Sequence, residues 1–366
     1  MKINRFAVIL AASVGLEQAP AVQAADPLQP IIEVHEAQAN VGLAVVLIED
    51  GVVAAKTYRG AAVVEHGVPV SKETRFQVMS VTKAFVGAAL VKSIGAGLVD
   101  LDAPVATYLP DYPKPAADEI TVRMLAAHTA GLPHLGHPDR KAVYVERYAD
   151  AKAALAVFRD EPLIHAPGSA YAYSSSNYTL IAAILEEVHG ESFATLLKRI
   201  VLDPLGLDAT APGDVMSPTP GLARNYSYVD IWTYQPADYL QEVPTWDFSY
   251  NVGGGNLVTT AGDLAAFGDA FLRPGLFTDA ELAMVFAPLD PTRSRWTLGW
   301  FLNDSDRGER FLSISGATPG VQAGLMVFPE SGISIAALSN SWGRNSAGGA
   351  LVIDAVREAA AAQAAR

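Results

Sequence analysis

Apolar positions fall in strand-like runs near both ends of the chain and in helix-like runs between them. Val41 to Glu49 is a β-branched apolar run, Asp50-Gly51 supplies a turn, and Val52 to Arg59 continues in the same style. Two such runs around a D-G pair predict a hairpin, and a third strand is expected over Ala61 to Val64. From Ser80 the period changes. Ser80 to Leu98 is rich in Ala, Val and Leu and runs into Gly95 and Gly97, which predicts a helix with its stop. Further helices are expected over Ile120–Ala127 with Thr121 as cap, Tyr178–Val188 before Gly190, Ser192–Ile200 before Pro204, and Thr260–Leu272 before Pro274. Ala209 to Tyr250 is rich in Pro, Tyr and Trp and weakly periodic, and reads as a long pocket-shaping loop. Strand character returns at Trp296–Leu302, Arg310–Ile314, Gln322–Phe328 and Ile333–Ser339, and an Ala-rich helix closes the chain over Gly348–Ala364.

Strands at both ends with helices between them imply one sheet assembled from both ends. Hairpin connections make it antiparallel. The expected fold class is therefore α/β (α+β): an antiparallel sheet flanked by helices, with an inserted, mostly helical region. The sheet part covers about 30–79 and 290–366, and the helical part about 80–289, within one domain over 25–366.

Composition narrows the functions. The chain has 366 residues, and half of them are apolar, enough for a large core. A formal net charge of −13 opposes binding to nucleic acid. The absence of cysteine removes thiol catalysis, disulfides and thiolate metal sites. At the N-terminus, Lys2 and Arg5 precede the apolar run Phe6–Leu16, and Val22-Gln23-Ala24 offers a cleavage site. This is a secretory signal pattern over 1–24, with Glu17 as a mild exception. The expectation is a periplasmic or secreted protein with no stable membrane insertion after cleavage near Ala24.

Ser80-Val81-Thr82-Lys83 is the first candidate for chemistry. A serine hydroxyl needs a base beside it near neutral pH. Positions i and i+3 share a helix face, so Lys83 can point back at Ser80, and burial would lower its pKa. The N–H of Ser80, at a helix N-terminus, could help to bind an oxyanion. The competing reading is a capping serine and a surface lysine, and four residues alone are a weak signal. In Tyr171-Ala172-Tyr173-Ser174-Ser175-Ser176-Asn177-Tyr178 a phenol near a lysine could shuttle protons, although most tyrosines only pack. In Ser315-Gly316-Ala317-Thr318-Pro319-Gly320, small residues after a strand would let a substrate lie along its edge and give a second oxyanion N–H. The alternative there is a plain Gly-Pro turn. His128, His134 and His137 with Asp139 make a weak metal pattern, which we set aside. Gly253-Gly254-Gly255 is no nucleotide loop, and Gly-x-Ser-x-Gly is absent.

Taken in order, the motifs resemble the serine β-lactamases, penicillin-binding carboxypeptidases and their esterase relatives, in the style of the class C branch. Ser80-Val81-Thr82-Lys83 resembles that family's Ser-x-x-Lys, and Thr74-Arg75-Phe76 its approach strand. Gly97-Leu98-Val99-Asp100-Leu101-Asp102-Ala103-Pro104-Val105 with Tyr108-Leu109-Pro110 is similar to the segment after the nucleophile helix. Ile120–Leu125 leading to His128-Thr129-Ala130-Gly131-Leu132-Pro133, Pro167-Gly168 before Tyr173-Ser174-Ser175, Pro204-Leu205-Gly206-Leu207, and Gly253-Gly254-Gly255 to Asp263 continue the likeness. The resemblance implies a cleft between a sheet and a helical part. It also implies catalytic Ser80, Lys83 and Tyr173, oxyanion donors on the backbone of Ser80 and Ala317, substrate contacts from Ser175, Ser315 and Gly316, and no cofactor or metal.

Two positions depart from the pattern. Ser175 stands where the tyrosine motif usually ends in Asn, and Ile314-Ser315-Gly316 aligns with Lys-Thr-Gly or His-x-Gly. The cation that would hold a substrate carboxylate is missing, with Arg344 or Arg295 as candidate replacements. Losing such a charge-assisted contact removes about 1.5–3 kcal/mol. The expected activity is thus acyl-enzyme hydrolysis of a small-molecule ester or amide. A β-lactamase, D-Ala-D-Ala carboxypeptidase or D-aminopeptidase, and a catalytically impaired binding homologue, are the alternatives.

Overall fold

Leu43 and Ser339 lie opposite each other in one sheet, so backbone pairing joins the two ends of the chain. The computed structural model describes residues 26–134, 146–305, 308–344 and 356. The sheet strands are β1 (Gly42–Glu49), β2 (Val52–Val63), β3 (Val68–Pro69), β4 (Phe301–Asp304), β5 (Arg310–Thr318), β6 (Val321–Phe328) and β7 (Ile333–Ser339). Their spatial order is β3-β2-β1-β7-β6-β5-β4, antiparallel throughout. The expected α/β (α+β) fold class holds.

The unbroken apolar run of β1 follows from burial on both faces. Ala44, Val46 and Ile48 pack into the large core under the helices, while Leu43, Val45 and Leu47 pack into a second cluster on the outer face. Helix α1 (Gln29–Ala37) covers that outer face with Ile31 and Ile32, beside the helical residue Val356. The rest of the expected closing helix lies outside the described residues, as does the signal segment.

Helix α2 (Thr82–Gly95) runs through the centre, with most of its residues buried. A Cβ on Gly87 would come within 2.1 Å of Leu298 O, so only glycine lets the 298–299 backbone pass this close. Phe85 stacks on Phe267 of helix α5 (Ala261–Asp269), with centroids 3.8 Å apart. Helices α3 (Val122–Ala126) and α4 (Ser175–His189) complete the inserted region around the site. Thr121 caps α3 as expected, Thr260 precedes α5 as its cap, and Gly190 (φ 68) ends α4.

Some boundaries differ from the sequence reading. The strand expected over Trp296–Leu302 is confined to β4, because 296–300 folds into a turn. Within it Thr297 N–H donates to Trp300 O, and Gly299 sits at φ 90. The third strand expected at Ala61 is the continuation of β2 past Gly60 (φ 70). The loop expected over 209–250 contains strands: Ala211–Pro212, and Tyr226–Val229 paired with Pro236–Glu242. Tyr226 and Ser227 also pair with Ser341 and Trp342, so partners more than a hundred residues away order this stretch. Helix α6 (Asp279–Val285) opens on a capping box from Thr278 and Glu281.

Candidate active site

Ser80 lies in a one-turn 3₁₀ segment, Met79–Val81, that feeds directly into α2. Met79 before it has φ 45, a left-handed conformation disfavoured for a side chain of this kind. One turn along, Lys83 is fully buried. Its Nζ is 3.1 Å from Ser80 Oγ, 3.0 Å from Ser175 Oγ and 2.7 Å from the carbonyl oxygen of Gly254. Burial holds the Lys83 amine well below the usual lysine range. Its three partners are all uncharged, so nothing there favours the ammonium as a carboxylate would.

Tyr173 arrives from the other side. Its O–H donates to Ser80 Oγ at 2.7 Å, and its ring packs 4.6 Å from His128 and 5.6 Å from Trp296. Loss of hydration pushes the phenol up to about 12, against the hydrogen bonds to Ser80 and Ser175, so it stays protonated across the neutral range. The ring keeps some accessible surface where it meets the cleft. Ser174 caps α4 by accepting Ser176 N–H, which places Ser175 in the first turn beside Lys83. The helix thus starts three residues earlier than its apolar pattern suggested.

His128 and His134 spend their Nδ1 lone pairs on this corner. His128 Nδ1 accepts Ser174 N–H (3.2 Å) and sits 3.0 Å from Asn177 Nδ2. His134 Nδ1 accepts Ser175 N–H at 3.0 Å. Burial first, and Lys83 second, hold His128 well below its usual range. His137 and Asp139 lie outside the described residues.

Strand β5 closes the site from the sheet. A Cβ on Gly316 would lie 2.0 Å from Val78 O and 2.8 Å from Ser80 N, so the glycine lets β5 pass directly beside the Ser80 backbone. Ala317 follows and is exposed, as is Ser315. The structure therefore brings Ser80, Lys83, Tyr173 and Ser175 into one hydrogen-bonded cluster and sets the 315–317 backbone alongside.

A family model described as Beta-lactamase matches residues 28–359. The chain belongs to the Beta-lactamase family. Human serine beta-lactamase-like protein LACTB, mitochondrial, is 25% identical over an alignment covering 74% of this chain and 65% of that protein. The chain thus spans just under two thirds of that relative's length. Esterase EstB of Burkholderia gladioli is 29% identical over 180 residues, 46% of each chain. The D-amino acid amidase from Ochrobactrum anthropi SV3, complexed with D-phenylalanine, superposes with a TM-score of 0.77 at 22% identity, covering 93% of this chain and 99% of that one. This last likeness speaks to the fold.

Against the Beta-lactamase family pattern, the departure at Ile314 has a structural consequence. Ile314 is buried in the main core. Neither arginine considered as a replacement cation is free. Arg295 is paired with Asp304 at 2.7 Å, and the Arg344 guanidinium lies over the Tyr228 ring at 4.3 Å. Beside Tyr173 a cavity of about 310 Å³ opens, with Tyr171, Trp296, Phe301, Asn303, Ile314 and Ser315 in its wall. Sequence reasoning missed the Gly254 carbonyl, which no side-chain motif can reveal. It also missed Trp296, whose segment reads as a strand.

Proposed function

We propose that this chain hydrolyses carboxylic esters, or small amides, through an acyl-enzyme on Ser80. The observation that carries the reading is that Ser80 Oγ accepts the Tyr173 phenol at 2.7 Å while lying 3.1 Å from the buried Lys83 amine. A neutral amine has two N–H donors and one lone pair. Lys83 can give its donors to Gly254 O and Ser175 Oγ and take the Ser80 proton on the lone pair. The freed alkoxide attacks the substrate carbonyl, and the N–H groups of Ser80 and Ala317 receive the developing oxyanion. The carbon–oxygen bond to the alcohol then breaks, and the Tyr173 proton goes to the departing oxygen. The Lys83 ammonium reprotonates the phenolate, and water hydrolyses the acyl-enzyme by the reverse sequence.

Ile314 favours esters over substrates that present a carboxylate, such as β-lactams and D-Ala-D-Ala peptides. The test is turnover of p-nitrophenyl butyrate by the purified chain and by Ser80→Ala, with intact-mass detection of a penicillin adduct run beside it. Turnover that vanishes in Ser80→Ala, without a stable adduct, is expected. An adduct with no ester turnover would make the peptidase or β-lactamase reading correct, and neither signal would point to an impaired homologue. We also propose that residues 1–24 direct export. N-terminal sequencing of the exported protein should begin near Ala25.

A further inference from the structure

Under the proposed mechanism, the proton on Tyr173 Oη travels to the departing oxygen, so the leaving group occupies the Tyr173 side of Ser80. The 310 Å³ cavity lies on that side and shares Tyr173 as a wall. Its wall combines aromatic rings with the polar side chains of Asn303, Ser313 and Ser315. Trp296 stands edge-on to Phe301, with centroids 6.1 Å apart and planes at 81°, and tilts toward Tyr173 at 5.6 Å. Tyr171 closes the group, its hydroxyl accepting Trp296 Nε1–H at 3.0 Å. Four aromatic rings therefore border a space that suits a flat, apolar ring.

Two of the polar groups in the wall, the Asn303 amide nitrogen and the Ser313 hydroxyl, already pair with each other. Asn303 Nδ2 donates to Ser313 Oγ at 2.8 Å and to Phe301 O at 3.1 Å. None of the lining residues carries a charge. The arginines adjoining these strands, Arg295 and Arg310, both face the carboxylate of Asp304, at 2.7 and 3.9 Å. An anionic substituent entering the cavity would lose its hydration without meeting a free cation.

We infer that this cavity receives the alcohol part of the ester, that it selects an uncharged aromatic alcohol, and that Ile314 sets the discrimination against acids. The inference rests on the ester-hydrolase reading and adds the substrate class.

Methyl, benzyl and 4-carboxybenzyl butyrate share an acyl group and have leaving alcohols of similar acidity, so they isolate the pocket. The benzyl ester should exceed the methyl ester in kcat/KM by about tenfold or more, as burial of a ring-sized apolar surface implies. The carboxylated ester should fall about tenfold or more below benzyl, the order expected for an unpaired buried charge. Ile314→Lys should narrow or reverse that second ratio. Because Ile314 is buried, its variant is first checked by thermal unfolding, and the wild-type ratios decide the matter if it does not fold. Equal rates for the three esters, or preference for the acid, would overturn the inference.

A binding measurement separates this inference from the reading beneath it. In Ser80→Ala protein, benzyl alcohol should perturb fluorescence saturably, the signal should be lost with Trp296→Phe, and 4-(hydroxymethyl)benzoate should give none. That pattern with no ester turnover would sink the hydrolase reading and keep the pocket. Ser80-dependent turnover without the pattern would do the opposite.

Discussion

Replacing Tyr173 by Phe deletes one oxygen and keeps the ring. The ring contacts with His128 and Trp296 survive, so the fold should lose no more than about 1 kcal/mol, the order of one net hydrogen bond. The chemistry should lose far more. The phenol, pushed up to about 12 by burial, is the protonated group poised on Ser80 Oγ. Removing a positioned proton donor typically slows a reaction by about 10²–10⁴, or roughly 2.7–5.5 kcal/mol of barrier. The loss should depend on the leaving group. An alkoxide leaving benzyl butyrate needs the proton, whereas p-nitrophenolate departs without it. The parameter to compare is kcat/KM, which covers steps only up to acylation and so excludes the second half of the cycle. Tyr173→Phe should lower kcat/KM by about 10²–10⁴ for benzyl butyrate and by about tenfold or less for p-nitrophenyl butyrate. An equal fall for both would mean that Tyr173 acts on the nucleophile and not on the leaving group. No fall would remove it from the mechanism.

Two other perturbations read different parts of the site. Gly316→Ala places a Cβ 2.0 Å from Val78 O and 2.8 Å from Ser80 N, so β5 must retreat from the oxyanion position. Turnover of p-nitrophenyl butyrate should fall by about 10²–10³, as when one oxyanion donor is lost, and wild-type turnover would refute the assignment. For Lys83, burial lowers the folded-state pKa below the ordinary 10.5 of the unfolded chain. Below the folded pKa both states are protonated and the cost of burying the ammonium is fully present. Between the two values the unfolded chain holds the extra proton, so stability relative to Lys83→Met should climb by about 1.4 kcal/mol per pH unit. Urea unfolding of both proteins across alkaline pH checks this, and a constant difference would contradict a depressed pKa. Activity should show the complementary limb: kcat/KM falls as pH drops through that same lowered value, because the base becomes charged.

The parts of this molecule legible in its sequence are those that local periodicity encodes. The Ser80/Lys83 pair at i and i+3 offers only a weak local signal, while the β1 run and the Asp50-Gly51 turn declare themselves within ten residues. Tyr173 did not; a lone tyrosine before a helix looks like any other, and only the order of surrounding motifs singled it out. The strands near Tyr226 and Pro236 were hidden because one partner, Ser341–Trp342, is remote in sequence. The Trp296 turn was hidden for the reverse reason: β-forming residues continue through a segment that Gly299 reverses at φ 90. The capping box at Thr278 and Glu281 is legible, but the apolar stripe behind it is too short to predict a helix.

The energetics of the site explain why the fold surrounds it so thoroughly. Met79 at φ 45 and His128 at φ 60 are backbone conformations that cost about 1–3 kcal/mol each for residues with side chains. The buried Lys83 adds a desolvation cost that no carboxylate among the described residues offsets. Strain of this kind persists only where packing leaves no alternative, and here α2 is buried along its length while β5 passes beside Ser80. The arrangement has a chemical logic. A carboxylate partner would stabilise Lys83 but pin it as an ammonium, with no lone pair for the Ser80 proton. A buried pocket of one carbonyl and two hydroxyls instead favours the neutral amine, at the expense of stability. Basicity at Lys83 is therefore a property of packing. A substitution that opens a water path to Nζ without touching any hydrogen-bond partner should raise its pKa and weaken catalysis near neutral pH, while making the fold more stable.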